Sequence, residues 1–173
     1  YYDWGSELET VWKENYKLWM TFINEYKNRG GRVTAGADSG YMYNLYGFGY
    51  VQELELLREA GFHPMEVIRA ATLHAAEAIG MEDKIGTIET GKFADLVIMD
   101  QNPLKNLKYL YATGDIKLEN NEVIRVGGVS KTIKDGIIFD ARELLKDVKK
   151  IVDEEKSNTP GWEKLLFENI QRK

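Results

Sequence analysis

The stretch Arg32-Val33-Thr34-Ala35-Gly36-Ala37-Asp38 decides how the rest of the chain is to be arranged. It is short, β-branched at Val33 and Thr34 and small elsewhere, the composition of a strand buried on both faces. Gly30-Gly31 sets it off from the residues before it, and a long loop rich in glycine and tyrosine follows. The strand stands alone between helical segments, as in a βα barrel, yet no other strand alternates with helices along this sequence. A buried strand must pair its N–H and C=O groups on both flanks. We therefore expect its neighbours to lie outside these 173 residues, on an upstream portion of the protein or on another chain. The opening Tyr1-Tyr2-Asp3-Trp4 resembles neither an initiator nor a signal peptide, which carries the same expectation.

Upstream, Thr10 to Arg29 spaces Val11, Tyr16, Trp19, Met20, Phe22, Ile23 and Tyr26 as an amphipathic helix does. Downstream, helical spacing returns at Val51, Leu54, Leu57 and Ala60, with Gly61 as a stop. Pro64 opens a second helix that runs to Ile79-Gly80. After Gly80 the pattern turns to strands: Asp95 to Asp100, Glu122 to Val126, and Lys131-Thr132-Ile133 joined by Asp135-Gly136 to Ile137-Ile138-Phe139 in a tight hairpin. Ala112 to Gly128 leaves room for an extra hairpin about Asn120-Asn121. Ala141 to Glu155 is a final amphipathic helix, and Ser157-Asn158-Thr159-Pro160 breaks it before a short tail helix.

Composition narrows the function. With 43% hydrophobic and 29% charged residues the chain reads as globular rather than disordered. The net charge of -5, with both signs mixed along the chain, offers no basic stripe for a nucleic acid. No apolar run is long enough for a membrane span, so neither nucleic acid nor membrane is expected as a partner. The absence of cysteine excludes a disulfide framework and thiolate chemistry, and leaves the compartment open, with cytoplasmic as the default.

Asp38 is the residue best placed for chemistry. Alternation puts Thr34, Gly36 and Asp38 on one face and Val33, Ala35 and Ala37 on the other. If the first face points into a barrel, Asp38 stands at the C-terminal mouth where such barrels build their sites, free to bind a metal. Asp-Ser-Gly is equally suited to capping the following loop. Tyr41, Tyr43, Asn44 and Tyr46, with Met42, Phe48 and Tyr50, crowd that loop and suit a substrate-pocket wall, although aromatic rings also cover barrel tops and interfaces. His63 and His74 fall on different elements without a His-x-x-x-His spacing and read as structural. Asp95 and Asp100 flank a strand away from the loop and read as turn and surface groups, and Lys146 to Lys150 as a solvated helix face. Gly36, Gly40, Gly47 and Gly49 lack the Gly-Lys-Ser/Thr ending of a phosphate loop.

Three motifs together resemble the amidohydrolase superfamily, in its imidazolonepropionase-like and prolidase-like subgroup. They are Ala35-Gly36-Ala37-Asp38-Ser39-Gly40, then Glu53 to Gly61 with Ala70-Ala71-Thr72-Leu73-His74-Ala75-Ala76, then Ile85-Gly86-Thr87 through Asp100 with Asn102-Pro103-Leu104. The resemblance implies an α/β fold: the C-terminal fragment of a (β/α)8 TIM barrel, contributing its last strand and flanking helices, plus part of a small β-sandwich. It implies a barrel portion over residues 1–80, a sandwich segment over 81–140 and C-terminal helices over 141–173. It further implies hydrolysis of amide or cyclic amide C–N bonds in a small-molecule substrate, with Asp38 as metal ligand and proton carrier and a divalent ion, commonly zinc, activating water.

The family's other ligands, a His-x-His pair on the first strand, a Lys or Glu on the fourth and histidines on the fifth and sixth, have no counterpart in this sequence. One carboxylate cannot supply the three or four protein ligands zinc requires. The chain by itself is thus expected to hold no stoichiometric metal and to be inactive. Two alternatives stand beside this: a deaminase of the same superfamily, and a non-catalytic module that self-associates as a homo-oligomer.

Overall fold

The computed structural model describes residues 5–41, 44–159 and 161, and shows a mixed α/β chain. The first helix, α1 (Ser6–Asn28), carries Glu7 and Glu9 in its first turn and Lys27 in its last, charges that complement the helix dipole at each end. It is followed by α2 (Gly49–Glu59), α3 (Pro64–Ala71) and α4 (Leu73–Ala78). The sequence reads Pro64 to Ile79 as one helix, whereas the structure breaks it at Thr72, whose φ of -125° and ψ of -83° leave the helical region. Thr72 Oγ1 donates instead to the Ile68 carbonyl at 2.7 Å, a local bond that competes with the helix ladder.

The core lies within this helical part. Leu54 and Leu57 of α2, Ala60 at its C-cap, Phe62, Val67 and Ala70 of the following turn and helix, and Leu107 from a turn of 3₁₀ helix (Leu107–Leu110) form one buried cluster. Met20 and Ile23 of α1 and Val33 and Ala35 pack on it from outside. Lys27 sits 4.9 Å above the centre of the Phe62 ring and reaches Glu66 Oε2 at 2.8 Å, while the His63 N–H donates to the same carboxylate at 2.7 Å. These contacts pin the end of α1 to the start of α3.

The C-terminal half is antiparallel. Strands β1 (Leu96–Met99), β4 (Val129–Lys134) and β5 (Ile137–Asp140) form one sheet in the order β1-β4-β5. Strands β2 (Asp115–Glu119) and β3 (Glu122–Val126) form a separate hairpin. Asn120 and Asn121 turn that hairpin at φ of 51° and 63°, and Asp135 and Gly136 turn β4 into β5 at 50° and 79°. Two central residues with positive φ are what a right-twisted two-residue hairpin requires, and Asn, Asp and Gly reach that region most easily. Helix α5 (Ala141–Asn158) is capped by the Asp140 carboxylate, which accepts from the Arg142 and Glu143 N–H groups, and it packs on β4 and β5. The expected tail helix lies outside the described residues.

Large apolar surfaces stay open. Trp12, Leu18, Trp19 and Phe22 of α1, Val97, Ile138 and Phe139 of the sheet, and Leu144, Val148 and Ile151 of α5 are all exposed. The accessible surface is 13770 Å². A compact monomer of this mass would expose about 8,700 Å² by the usual scaling of area with size.

Candidate functional site

The segment from Arg32 to Asp38 forms no strand ladder among the described residues, in contrast to the expectation from its composition. The physical reason is the absence of an adjacent strand there, because β structure is defined by its neighbours' hydrogen bonds. Its side chains nonetheless alternate: Val33, Ala35 and Ala37 are half-buried, and Thr34, Gly36 and Asp38 are exposed. One backbone group of each odd-numbered residue finds a partner: the Val33 carbonyl lies 3.1 Å from His74 Nδ1, the Ala35 N–H donates to the Ala70 carbonyl at 3.3 Å, and the Ala37 carbonyl accepts from Asn44 Nδ2. Helices α3 and α4 thus hold one side of the segment and leave the Asp38 side free.

Asp38 itself takes a φ of 45°, uncommon for a residue with a side chain, and begins the Asp38-Ser39-Gly40 turn. Two bonds from Asn44 close the loop behind it: the carboxamide donates to the Ala37 carbonyl, and the Asn44 carbonyl accepts from the Gly40 N–H at 2.7 Å. Gly40, with a φ of 101°, carries the Tyr46 phenol directly over its Cα. Gly49, the buried first residue of α2, touches both Asn44 and Ser39; a Cβ there would meet Asn44 Cγ at 2.7 Å and Ser39 Oγ at 2.8 Å.

The residues expected at the pocket wall separate. Tyr41 and Tyr46 are 67% and 79% exposed, so among the described residues they form open surface and not a closed pocket. Tyr43 and Met42 lie outside the described residues. Asn44, expected to face substrate, turns its amide into the main chain of Ala37, because a carboxamide near an unpaired carbonyl finds its partner there. Tyr50 donates to the Ala71 carbonyl at 3.1 Å, and Phe48 packs against Tyr111 with ring centres 5.7 Å apart and planes tilted by 38°. His63 opens α3, and His74 serves Val33, so neither stands with Asp38. Asp95 accepts from the Lys134 ammonium and the Asp135 N–H, which hold its carboxyl below the usual carboxylate range, and Asp100 lies 3.6 Å from Arg142.

Composition and spacing did not point to Asn44 or Gly49 as partners of the Asp38 turn; neither residue type announces a tertiary contact. Glu53 was likewise silent: burial raises its carboxyl above the ordinary value, on the same turn of α2 as Tyr50, whose phenol is raised by burial and then by the Glu53 charge. A divalent metal does not fit the described residues by themselves. They contain no group of three or more His, Cys, Asp or Glu side chains able to hold an ion, and Asp38 offers one carboxylate where zinc takes three or four protein ligands.

A helical unit that presents one carboxylate on the free side of a strand-like segment, joined to antiparallel sheets, makes this a mixed α/β chain. The chain belongs to the amidohydrolase family, whose model matches residues 19–138, more than two thirds of its length. The imidazolonepropionase of Shouchella clausii strain KSM-K16 is 32% identical over 101 residues, covering 58% of this chain and 21% of that protein. The 5'-deoxyadenosine deaminase of Methanobrevibacter smithii is 31% identical over 115 residues, covering 60% of this chain and 25% of that protein. Among solved structures, a Xaa-Pro dipeptidase with bound methionine aligns at a TM-score of 0.53 and 25% identity, over 70% of this chain and 25% of that one. The chain therefore spans a quarter or less of the length of these relatives.

Proposed function

We propose that this chain is the C-terminal part of a metal-dependent hydrolase of amide or cyclic amide C–N bonds, and that Asp38 is its contribution to the active site. The observation that carries the reading is the register of Val33 to Asp38, which packs its odd residues on the helices and presents Thr34, Gly36 and Asp38 on the free side. That is the disposition of the last strand of a (β/α)8 barrel, with small residues inward and a carboxylate at the mouth. Residues 1–80 are then barrel, 81–140 sandwich and 141–173 C-terminal helices. The open edge at Thr34 and Gly36 and the exposed apolar faces of α1 and the sheet suit cover by the remaining barrel portion.

In this reading Asp38 takes a proton from the attacking water and returns it to the departing nitrogen, a contribution of roughly 100- to 10,000-fold. Tyr41 and Tyr46, exposed beside the Asp38 turn, border the entry for a small-molecule substrate. The 173-residue chain by itself holds no stoichiometric zinc and turns nothing over, because the other ligands come from elsewhere.

The test is Asp38→Asn in the full-length gene product, assayed against Xaa-Pro dipeptides, N-acyl amino acids and cyclic amides. We expect turnover to fall at least about 100-fold with an unchanged circular dichroism spectrum. Wild-type turnover in the variant would overturn the assignment. The likeness to a deaminase favours a second reading, and release of ammonia from an aminated heterocycle in place of amide cleavage would select it.

A further inference from the structure

Resting on the assignment of Asp38 above, we infer that Asn44 is a positioning residue for that carboxylate, closing the loop that holds Asp38 in its left-handed conformation. Three observations converge on it. The Asn44 carboxamide donates to the carbonyl of Ala37, the residue immediately before Asp38, so the peptide that orients Asp38 is tethered directly. The Asn44 main chain binds the same turn from the other end, its carbonyl accepting from Gly40 at 2.7 Å and its N–H donating to the Tyr41 carbonyl at 3.1 Å. The half-buried Asn44 is in turn fixed by α2: Gly49 is buried against it, and only a glycine leaves the carboxamide where it is.

Asp38 thus lies between two anchors that both belong to one residue. A φ of 45° is disfavoured for a side-chain-bearing residue by about 1 kcal/mol or more, and it persists where the surroundings over-determine it. Asn44 supplies that determination without touching the reacting atoms. Removing the tether frees Asp38 to relax toward ordinary backbone angles, which moves a carboxylate by about an ångström, a displacement that costs on the order of 100-fold in a reaction dependent on its position. Asn44→Asp keeps the shape and removes the donor, and Gly49→Ala displaces the carboxamide without altering it.

The experiment has two arms. Amide hydrogen exchange in the full-length gene product reads the loop directly, and Asn44→Ala and Asn44→Asp are expected to speed exchange of the Gly40 N–H by about tenfold or more while the α2 and α3 amides keep wild-type rates. In the full-length gene product, Asn44→Ala and Gly49→Ala are each expected to lower kcat about 10- to 100-fold with KM within about threefold. Unchanged Gly40 exchange in both Asn44 variants, or wild-type kcat in Asn44→Ala and Gly49→Ala beside an inactive Asp38→Asn, overturns the positioning role and leaves Asp38 standing. An active Asp38→Asn instead sinks the reading of Asp38 itself, and with it the role of Asn44, even if the loop opens.

Discussion

Replacing Gly86 with alanine tests how the family-like stretch from Ile85 to Asp100 is locked onto the helices. Gly86 has a φ of 91°, where an L side chain costs about 1–2 kcal/mol. A Cβ at this position would fall 2.6 Å from the Ala76 Cβ and 3.2 Å from both the Leu73 Cα and the Thr72 carbonyl oxygen. Two methyl carbons prefer about 3.5–4.0 Å. Ala76 is 2% exposed and has no rotamer by which to retreat, and the other two neighbours are backbone, so α4 must shift. Overpacking of this kind costs about 1–3 kcal/mol. The two terms together place Gly86→Ala at about 2–5 kcal/mol of lost stability, a large share of the roughly 5–15 kcal/mol that holds a typical domain. Urea denaturation followed by circular dichroism measures it, and adding Ala76→Gly separates the terms, because that change relieves the methyl contact and leaves the φ cost. The double variant should be more stable than the sum of the single effects predicts by about 1 kcal/mol or more. A loss below about 1 kcal/mol in Gly86→Ala, or strict additivity with Ala76→Gly, would refute the argument.

Two further outcomes follow from the contacts of the fold. The Lys27 hydrogen bond, followed by that from the His63 N–H, lowers the Glu66 carboxyl below its ordinary 4.5, so this pair stabilises the fold above that pH and the contribution is lost as pH falls through the lowered value. Lys27→Met should flatten that acid limb in pH-dependent urea midpoints, by no more than about 1 kcal/mol since Glu66 is partly solvated. Asn121, at a φ of 63°, should accept glycine with a gain of about 0.5 kcal/mol and lose about 1–2 kcal/mol on substitution by valine; the same urea midpoint reads both, and a stabilising valine would contradict the turn geometry.

The elements whose signal is local were legible in the sequence. Asp135-Gly136 and Asn120-Asn121 form the two tight turns because the positive φ they need is a property of those residues themselves. The apolar spacing at Leu54 and Leu57 reports a helix face directly, and both are buried. The alternation from Val33 to Asp38 is likewise read from the chain and reappears in the burial of its side chains. The resemblance to the amidohydrolase superfamily also rests on motifs that are contiguous in sequence, and the match over residues 19–138 covers them.

Only the tertiary structure decided which partners those elements take. The segment ending at Asp38 reads as a strand, but a strand exists only through a neighbour's hydrogen bonds, and the described residues supply helices on one side of it. The break at Thr72 depends on a hydroxyl preferring the Ile68 carbonyl, a competition too close for propensity to settle. Asn44 reads as a polar loop residue suited to a substrate, and its commitment to the Ala37 carbonyl arises because that carbonyl would otherwise be unpaired and because Gly49 leaves room for the carboxamide. Residue type and spacing thus set the local conformations and marked Asp38; the three-dimensional packing determined which groups hold it, since those contacts join positions whose proximity no spacing rule encodes.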